Sequence, residues 1–141
     1  MPNDPVLVDT GALVALFNPR DQFHEVCTEA AKELPVGKAF TCWPVLTEAT
    51  YLLRRYPEKQ DSLFESIEAG EFQLLPLDLE DLPALRETIT KFADQGIDLA
   101  DAALVHLADR ENINDVFTVD WRHFSILRKR NGQPLQLLPK P

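Results

Sequence analysis

The sequence predicts an α/β domain built on a mostly parallel sheet. Short apolar runs, suited to strands buried on both faces, alternate with longer segments of helical period. The chain of 141 residues contains no internal repeat, no low-complexity tract and no linker, so residues 1–141 read as one domain with room for a substantial core. Two of the apolar runs end at an aspartate, Asp9 and Asp120. That places carboxylates at the carboxyl ends of strands, where parallel sheets bind their ligands.

The elements follow in order. Pro5 to Val8 is the first strand. Leu13, Leu16 and Phe17 then recur at helical spacing until Asn18-Pro19 breaks the helix. Asp21 caps a second helix reaching about Leu34, with Phe23, Val26, Cys27 and Ala30 facing inward. Pro35-Val36-Gly37 is a turn, and Ala39 to Trp43 the second strand, with Trp43 assigned to packing. Pro44 suits the first position of a helix running to about Arg55, whose inward stripe is Val45, Ala49 and Leu52. A further helix runs from Pro57 to Ala69 and ends at Gly70. Phe72 to Leu75 is the third strand. Asp78 caps an amphipathic helix with Leu82, Leu85, Ile89 and Phe92 on one side, ended by Gly96. A largely apolar helix starts at Asp98 and is broken at Asn112 and Asn114. Val116 to Val119 is the fourth strand, a short turn or helix follows Asp120, and Leu135 to Leu138 is an edge strand.

Composition sets limits on function. The chain is 45% hydrophobic and 26% charged, ordinary values for a globular protein, and no apolar run is long enough to span a bilayer. The N-terminus has no signal-peptide pattern, and Cys27 and Cys42 suggest neither a disulfide framework nor a zinc site, so the expected setting is the cytoplasm, with no membrane role. A net charge of −9 alone argues against nucleic acid as a partner. The distribution changes that, because Arg122, Arg128, Lys129, Arg130 and Lys140 follow Asp120 with no acid among them. A basic lip beside an acidic centre is compatible with this asymmetry.

The acids form the informative constellation. Asp98 and Asp101 open the apolar helix three residues apart, on one face. Asp98 reads mainly as the helix cap, with a supporting role near a metal, and Asp101 is the stronger functional choice. Glu48 borders an apolar stripe, and Asp9 and Asp120 end strands. Each has an ordinary structural use as a cap, a turn residue or a solvated side chain. Together they come from four segments, and carboxylates gathered in one place repel unless a cation lies among them. Hard oxygen ligands favour Mg²⁺ or Mn²⁺, which points to phosphodiester hydrolysis.

At this point the residues reach a family. Val8-Asp9-Thr10-Gly11-Ala12-Leu13, Thr47-Glu48-Ala49, Asp98-Leu99-Ala100-Asp101-Ala102-Ala103-Leu104 and Phe117-Thr118-Val119-Asp120 with Arg122-His123-Phe124, in that order and spacing, resemble a PIN-domain ribonuclease of the VapC-type toxin group. The resemblance implies a three-layer α/β/α sandwich. It also implies a Mg²⁺- or Mn²⁺-dependent endoribonuclease whose metal-binding and catalytic acids map onto Asp9, Glu48, Asp101 and Asp120, with Asp98 as a less central acid. Thr10 and Thr118 match supporting hydroxyl positions. The products would carry 5′-phosphate and 3′-hydroxyl ends, and the partners implied are an RNA substrate, an antitoxin protein and a second copy of the chain. Trp121, Arg122, Arg128, Lys129 and Arg130 are candidate RNA contacts. His106 is assigned to a core or boundary role, and His24 and His123 form no metal spacing with each other.

Competing readings fare worse. Val8 to Ala12 also resembles the active-site turn of an aspartic protease, but that fold is all-β and the helical period after Ala12 contradicts it. A dehalogenase-like phosphatase would want an acid where Gly11 stands. A response-regulator receiver would want acids where Val6, Leu7 and Val8 stand. The remaining alternative is a PIN-like module that binds RNA or a protein without catalysis.

Overall fold

The computed structural model describes residues 3–141. Its centre is a five-stranded sheet in the order β3-β2-β1-β4-β5, formed by β1 (Val6–Val8), β2 (Ala39–Thr41), β3 (Gln73–Leu74), β4 (Asp115–Phe117) and β5 (Gln136–Leu138). Every pairing is parallel. Parallel neighbours need crossovers, and the helices supply them. Helices α1 (Thr10–Phe17) and α2 (His24–Ala31) join β1 to β2, and α3 (Trp43–Leu52) and α4 (Pro57–Glu68) join β2 to β3. Helices α5 (Leu82–Lys91) and α6 (Leu99–Arg110) carry the chain back across the sheet to β4, and α7 (Trp121–Ile126) leads to the edge strand β5. All residues of β1 and β4 are buried, as an α/β/α sandwich requires of its central strands.

This topology fixes where a ligand goes. From β1 the chain moves one way across the sheet, to β2 and β3, and then returns to the other side of β1 for β4. The carboxyl ends of β1 and β4 therefore flank the point where strand order reverses. Asp9 directly follows β1, and its N–H continues the ladder by donating to the Phe117 carbonyl at 2.9 Å. Gly11 permits the close approach here: a Cβ on it would lie 2.9 Å from Val119 Cγ2.

Several side-chain expectations change. The inward stripe of α3 runs through Val45, Leu46, Ala49 and Leu53; Leu53 is fully buried while Leu52 is 49% exposed, because the helix presents Leu53 one turn beyond Ala49. Trp43 begins α3 rather than ending β2 and is 61% exposed, so it does not pack in the core. Val26 and Leu82 are also exposed, whereas Cys27 and Leu85 face the core. Helix α2 is shorter than expected, and Asp21 accepts from the Phe23 N–H in the turn before it. Cys27 and Cys42 are buried free thiols. No helix among the described residues is long and apolar enough to cross a membrane.

Candidate metal centre

Five acids surround the switch point. Asp9 stands at the N-cap position of α1 without a side-chain capping bond; instead its Oδ2 accepts from the Thr118 hydroxyl at 2.9 Å. That same hydroxyl accepts from the Asp120 N–H, also at 2.9 Å, so Thr118 ties Asp9, directly after β1, to Asp120, which lies three residues past β4 because that strand ends at Phe117 and not at Val119 as expected. Asp120 caps α7 through Oδ1, which accepts from the His123 N–H at 3.2 Å. Asp98 and Asp101 form a reciprocal capping box at the start of α6: Asp98 Oδ1 accepts from the Asp101 N–H at 2.9 Å, and Asp101 Oδ2 from the Asp98 N–H at 3.3 Å. Glu48 projects from α3, which packs against α6.

These acids lie close enough to act on one another electrostatically. Burial pushes the Asp9 carboxyl up from 3.8 to about 7; the Thr10 N–H and Thr118 hydroxyl oppose the rise, and the charges of Asp120 and Glu48 add to it. Asp101 is raised well above the carboxylate range, first by burial and then by the charges of Asp98 and Asp9. Glu48 is raised by partial burial, by its contact with Asp98 and by the charge of Asp120. Every one of the five therefore takes part in mutual repulsion. Among the described residues, no Lys or Arg forms an ion pair with any of them.

The sequence reading missed one participant. His123 Nδ1 lies 2.9 Å from Asp120 Oδ2 and 3.6 Å from Asp101 Oδ2. Single ligand atoms of Asp101, Asp120 and His123 all lie within 4.8 Å of one another. The available signal was the spacing: His123 follows Asp120 by three residues, one helical turn. It becomes legible only once a helix is known to begin directly after Asp120.

The donor set suits a hard divalent cation, since carboxylate oxygens dominate it. Two buried polar atoms in this group lack a hydrogen-bond partner, Thr10 Oγ1 and His123 Nδ1. Orphaned buried polar atoms are uncommon, and beside a set of carboxylates these two fit a bound cation.

The expected RNA contacts divide. Arg122, Arg128 and Arg130 are exposed. Lys129 is corrected: it is 6% exposed, and its ammonium donates to Asn114 Oδ1 at 2.8 Å and to Asn112 Oδ1 at 3.4 Å. It braces the turn from α6 into β4 and is not presented to a substrate. Trp121 has a packing role, with Nε1 donating to the Pro139 carbonyl at 2.8 Å and the ring edge-on to Phe23. Arg128 and Arg130 line a groove of about 700 Å³ together with Lys91, Phe92 and His106.

Known proteins agree with this architecture. The PIN domain family matches residues 6–129. Ribonuclease VapC26 of Mycobacterium tuberculosis is 29% identical over 139 residues, covering 95% of this chain and all of the relative. Among solved structures, M. tuberculosis VapC20, described as a sarcin–ricin-loop-cleaving toxin, superposes with a TM-score of 0.76 at 17% identity, over 84% of this chain and 92% of that one. The chain belongs to the PIN-domain family. The VapC-type resemblance read from its motifs is borne out.

Proposed function

We propose that this protein is a divalent-metal-dependent endoribonuclease that serves as the toxin of a toxin–antitoxin pair. What supports the reading is the grouping of Asp101 and Asp120 with His123, together with the mutual electrostatic influence of Asp9, Glu48, Asp98, Asp101 and Asp120, without an ion-paired Lys or Arg among the described residues. Burying like charges together is costly, and a bound cation is the usual compensation. The relative named ribonuclease VapC26 supports RNA as the substrate.

Asp9, Glu48, Asp101 and Asp120 would hold Mg²⁺ or Mn²⁺, with Asp98 chiefly maintaining the helix start. When bound, such a cation supplies Lewis acidity toward the scissile phosphate and neutralises charge at the leaving oxygen. The chain's own contribution is placement. Thr118 holds one oxygen of Asp9 and the backbone of Asp120, and the capping box holds Asp101 at the rigid end of a buried helix. Without metal, Asp9 keeps its proton up to about pH 7, so metal entry releases protons. Arg122 is exposed one residue past Trp121 and suits a phosphate contact beside the cluster. The resemblance also proposes an antitoxin and a second copy as protein partners. Exposed Trp43, Tyr51 and Leu52 on α3 supply apolar surface for the second copy.

The test is cleavage of purified structured and single-stranded RNAs with Mg²⁺, with Mn²⁺ and with EDTA. Metal-dependent internal cuts leaving 5′-phosphates are expected. RNA binding without cleavage in either metal would overturn the reading in favour of a non-catalytic PIN-like module.

A further inference from the structure

We propose that His123 is itself a ligand of this metal centre, so that the cation meets a mixed nitrogen and oxygen donor set that favours Mn²⁺ over Mg²⁺. The inference rests on the metal-dependent reading above and adds a donor that the carboxylate pattern does not contain.

Geometry separates this from an ordinary histidine–carboxylate pair. Nδ1 lies 2.9 Å from Asp120 Oδ2, within hydrogen-bonding distance, yet it makes no hydrogen bond. The oxygen therefore lies off the direction in which the ring nitrogen would donate or accept. Two groups that ligate one cation have this relation, because each points its lone pair at the ion and past its neighbour. The second carboxylate agrees. Asp101 Oδ2, from a different helix, approaches the same nitrogen at 3.6 Å. Neighbouring ligands at right angles around an ion about 2.1 Å away lie about 3.0 Å apart, close to the shorter separation, and the longer one corresponds to a wider angle of about 120° at the same ion distance.

The surroundings fix which nitrogen faces inward. Gly96 has φ of 74° and no side chain, and a Cβ there would lie 3.6 Å from His123 Nε2. The ring thus lies against the Gly96 backbone on its Nε2 side and turns Nδ1 to the acids. Asp120 complements this, since its Oδ1 accepts from the His123 N–H and leaves Oδ2 for the cluster. A neutral imidazole protonated on Nε2 then offers the Nδ1 lone pair to the ion. Imidazole nitrogen suits transition-metal ions, whereas Mg²⁺ is served by oxygen alone.

The decisive measurement is pulsed electron paramagnetic resonance of the full-length protein loaded with Mn²⁺. Directly coupled ¹⁴N is expected, replaced by a ¹⁵N pattern on labelling with ¹⁵N-histidine and absent in His123→Phe, which keeps a ring and removes both nitrogens. Calorimetry should show Mn²⁺ affinity falling roughly 10-fold or more in that variant, with a smaller change for Mg²⁺. Bound Mn²⁺ without nitrogen coupling in the unsubstituted protein would overturn the inference and leave the metal-dependent nuclease standing. Failure to bind Mn²⁺ at all would overturn both.

Discussion

Asp81 and Asp101 occupy nearly the same local motif and have opposite fates. Each is the third residue of a capping box, Asp81 with Asp78 and Asp101 with Asp98, and each is 6% exposed. What differs is who arrives from outside. Asp81 meets two nitrogen-bearing side chains of α6, the His106 imidazole at 2.7 Å and the Arg110 guanidinium at 3.2 Å. Its carboxyl is lowered to about 2 by the Asp78 N–H first and by His106 and Arg110 after it. Asp101, in the first turn of that same helix, meets Asp98 and Asp9 and is raised instead. One helix thus carries a completed ion cluster along its length and an uncompleted one at its start. Asp101 has no Lys or Arg beside it among the described residues, only other carboxylates and the His123 imidazole, a contrast that supports the metal-dependent reading proposed above.

The largest break in this contrast should come from Asp101→Asn, which keeps the shape and removes the charge. RNA cleavage with Mn²⁺ should fall at least about 100-fold. The metal-free variant should melt no lower than the parent, because repulsion is relieved, while the rise in Tm on adding Mn²⁺ should disappear. Cleavage at the parental rate would remove Asp101 from the reaction.

The pH dependence should separate the two carboxylates next. Asp9 titrates near 7 when folded and near 3.8 when unfolded, so between those values the folded state holds the extra proton. Stability of the metal-free protein should therefore fall as pH rises from about 4 to 7, by up to about 1.4 kcal/mol per pH unit for one group. Asp101 contributes with the same sign. Asp81 acts oppositely: its contribution is complete above about 3.8 and is lost as pH falls through about 2. Urea denaturation across pH, with and without Mn²⁺, measures both limbs. A metal-free protein whose stability is flat from pH 4 to 7 would contradict the crowding of the acids.

Asp81→Asn should reverse the Asp101 result. Tm should drop by several degrees because His106 and Arg110 lose their anion, while cleavage should stay within about threefold of the parent. A matching loss of cleavage would mean that the two clusters are not independent. An effect on stability and binding together is expected from Gly11→Ala, whose new Cβ would crowd Val119 Cγ2 in the segment that follows β4. A destabilisation of about 1–3 kcal/mol is expected, together with weakened Mn²⁺ binding measured by calorimetry. Unchanged binding would show that the pocket tolerates this crowding.

Much of this was legible in the chain because it is local. Alternating apolar runs and helical periods predict the parallel sheet, and Asp9, Asp98 and Asp101 declare themselves by their places at strand and helix boundaries. His106 had the boundary role expected of it, as the partner of Asp81. The misreadings came where a side chain's direction depends on a distant segment. Leu52 and Leu53 exchange places on the turn of one residue. Lys129 reads as a surface cation until Asn112 and Asn114 fold back onto it. His123 takes its position from Gly96 and from the start of α6, neither of which its neighbours in sequence reveal.

The hydrogen bond from Thr118 to Asp9 joins residues 109 positions apart. It therefore sets a time as well as a place. While the chain is being synthesised, Asp9 emerges early, but Thr118 and Asp120 arrive only after most of the protein has been made. Until β4 docks beside β1, the acids are scattered along an incomplete sheet. With the metal-binding acids proposed above, a nuclease assembled in this way would stay unarmed through most of its own translation, when RNA is closest at hand.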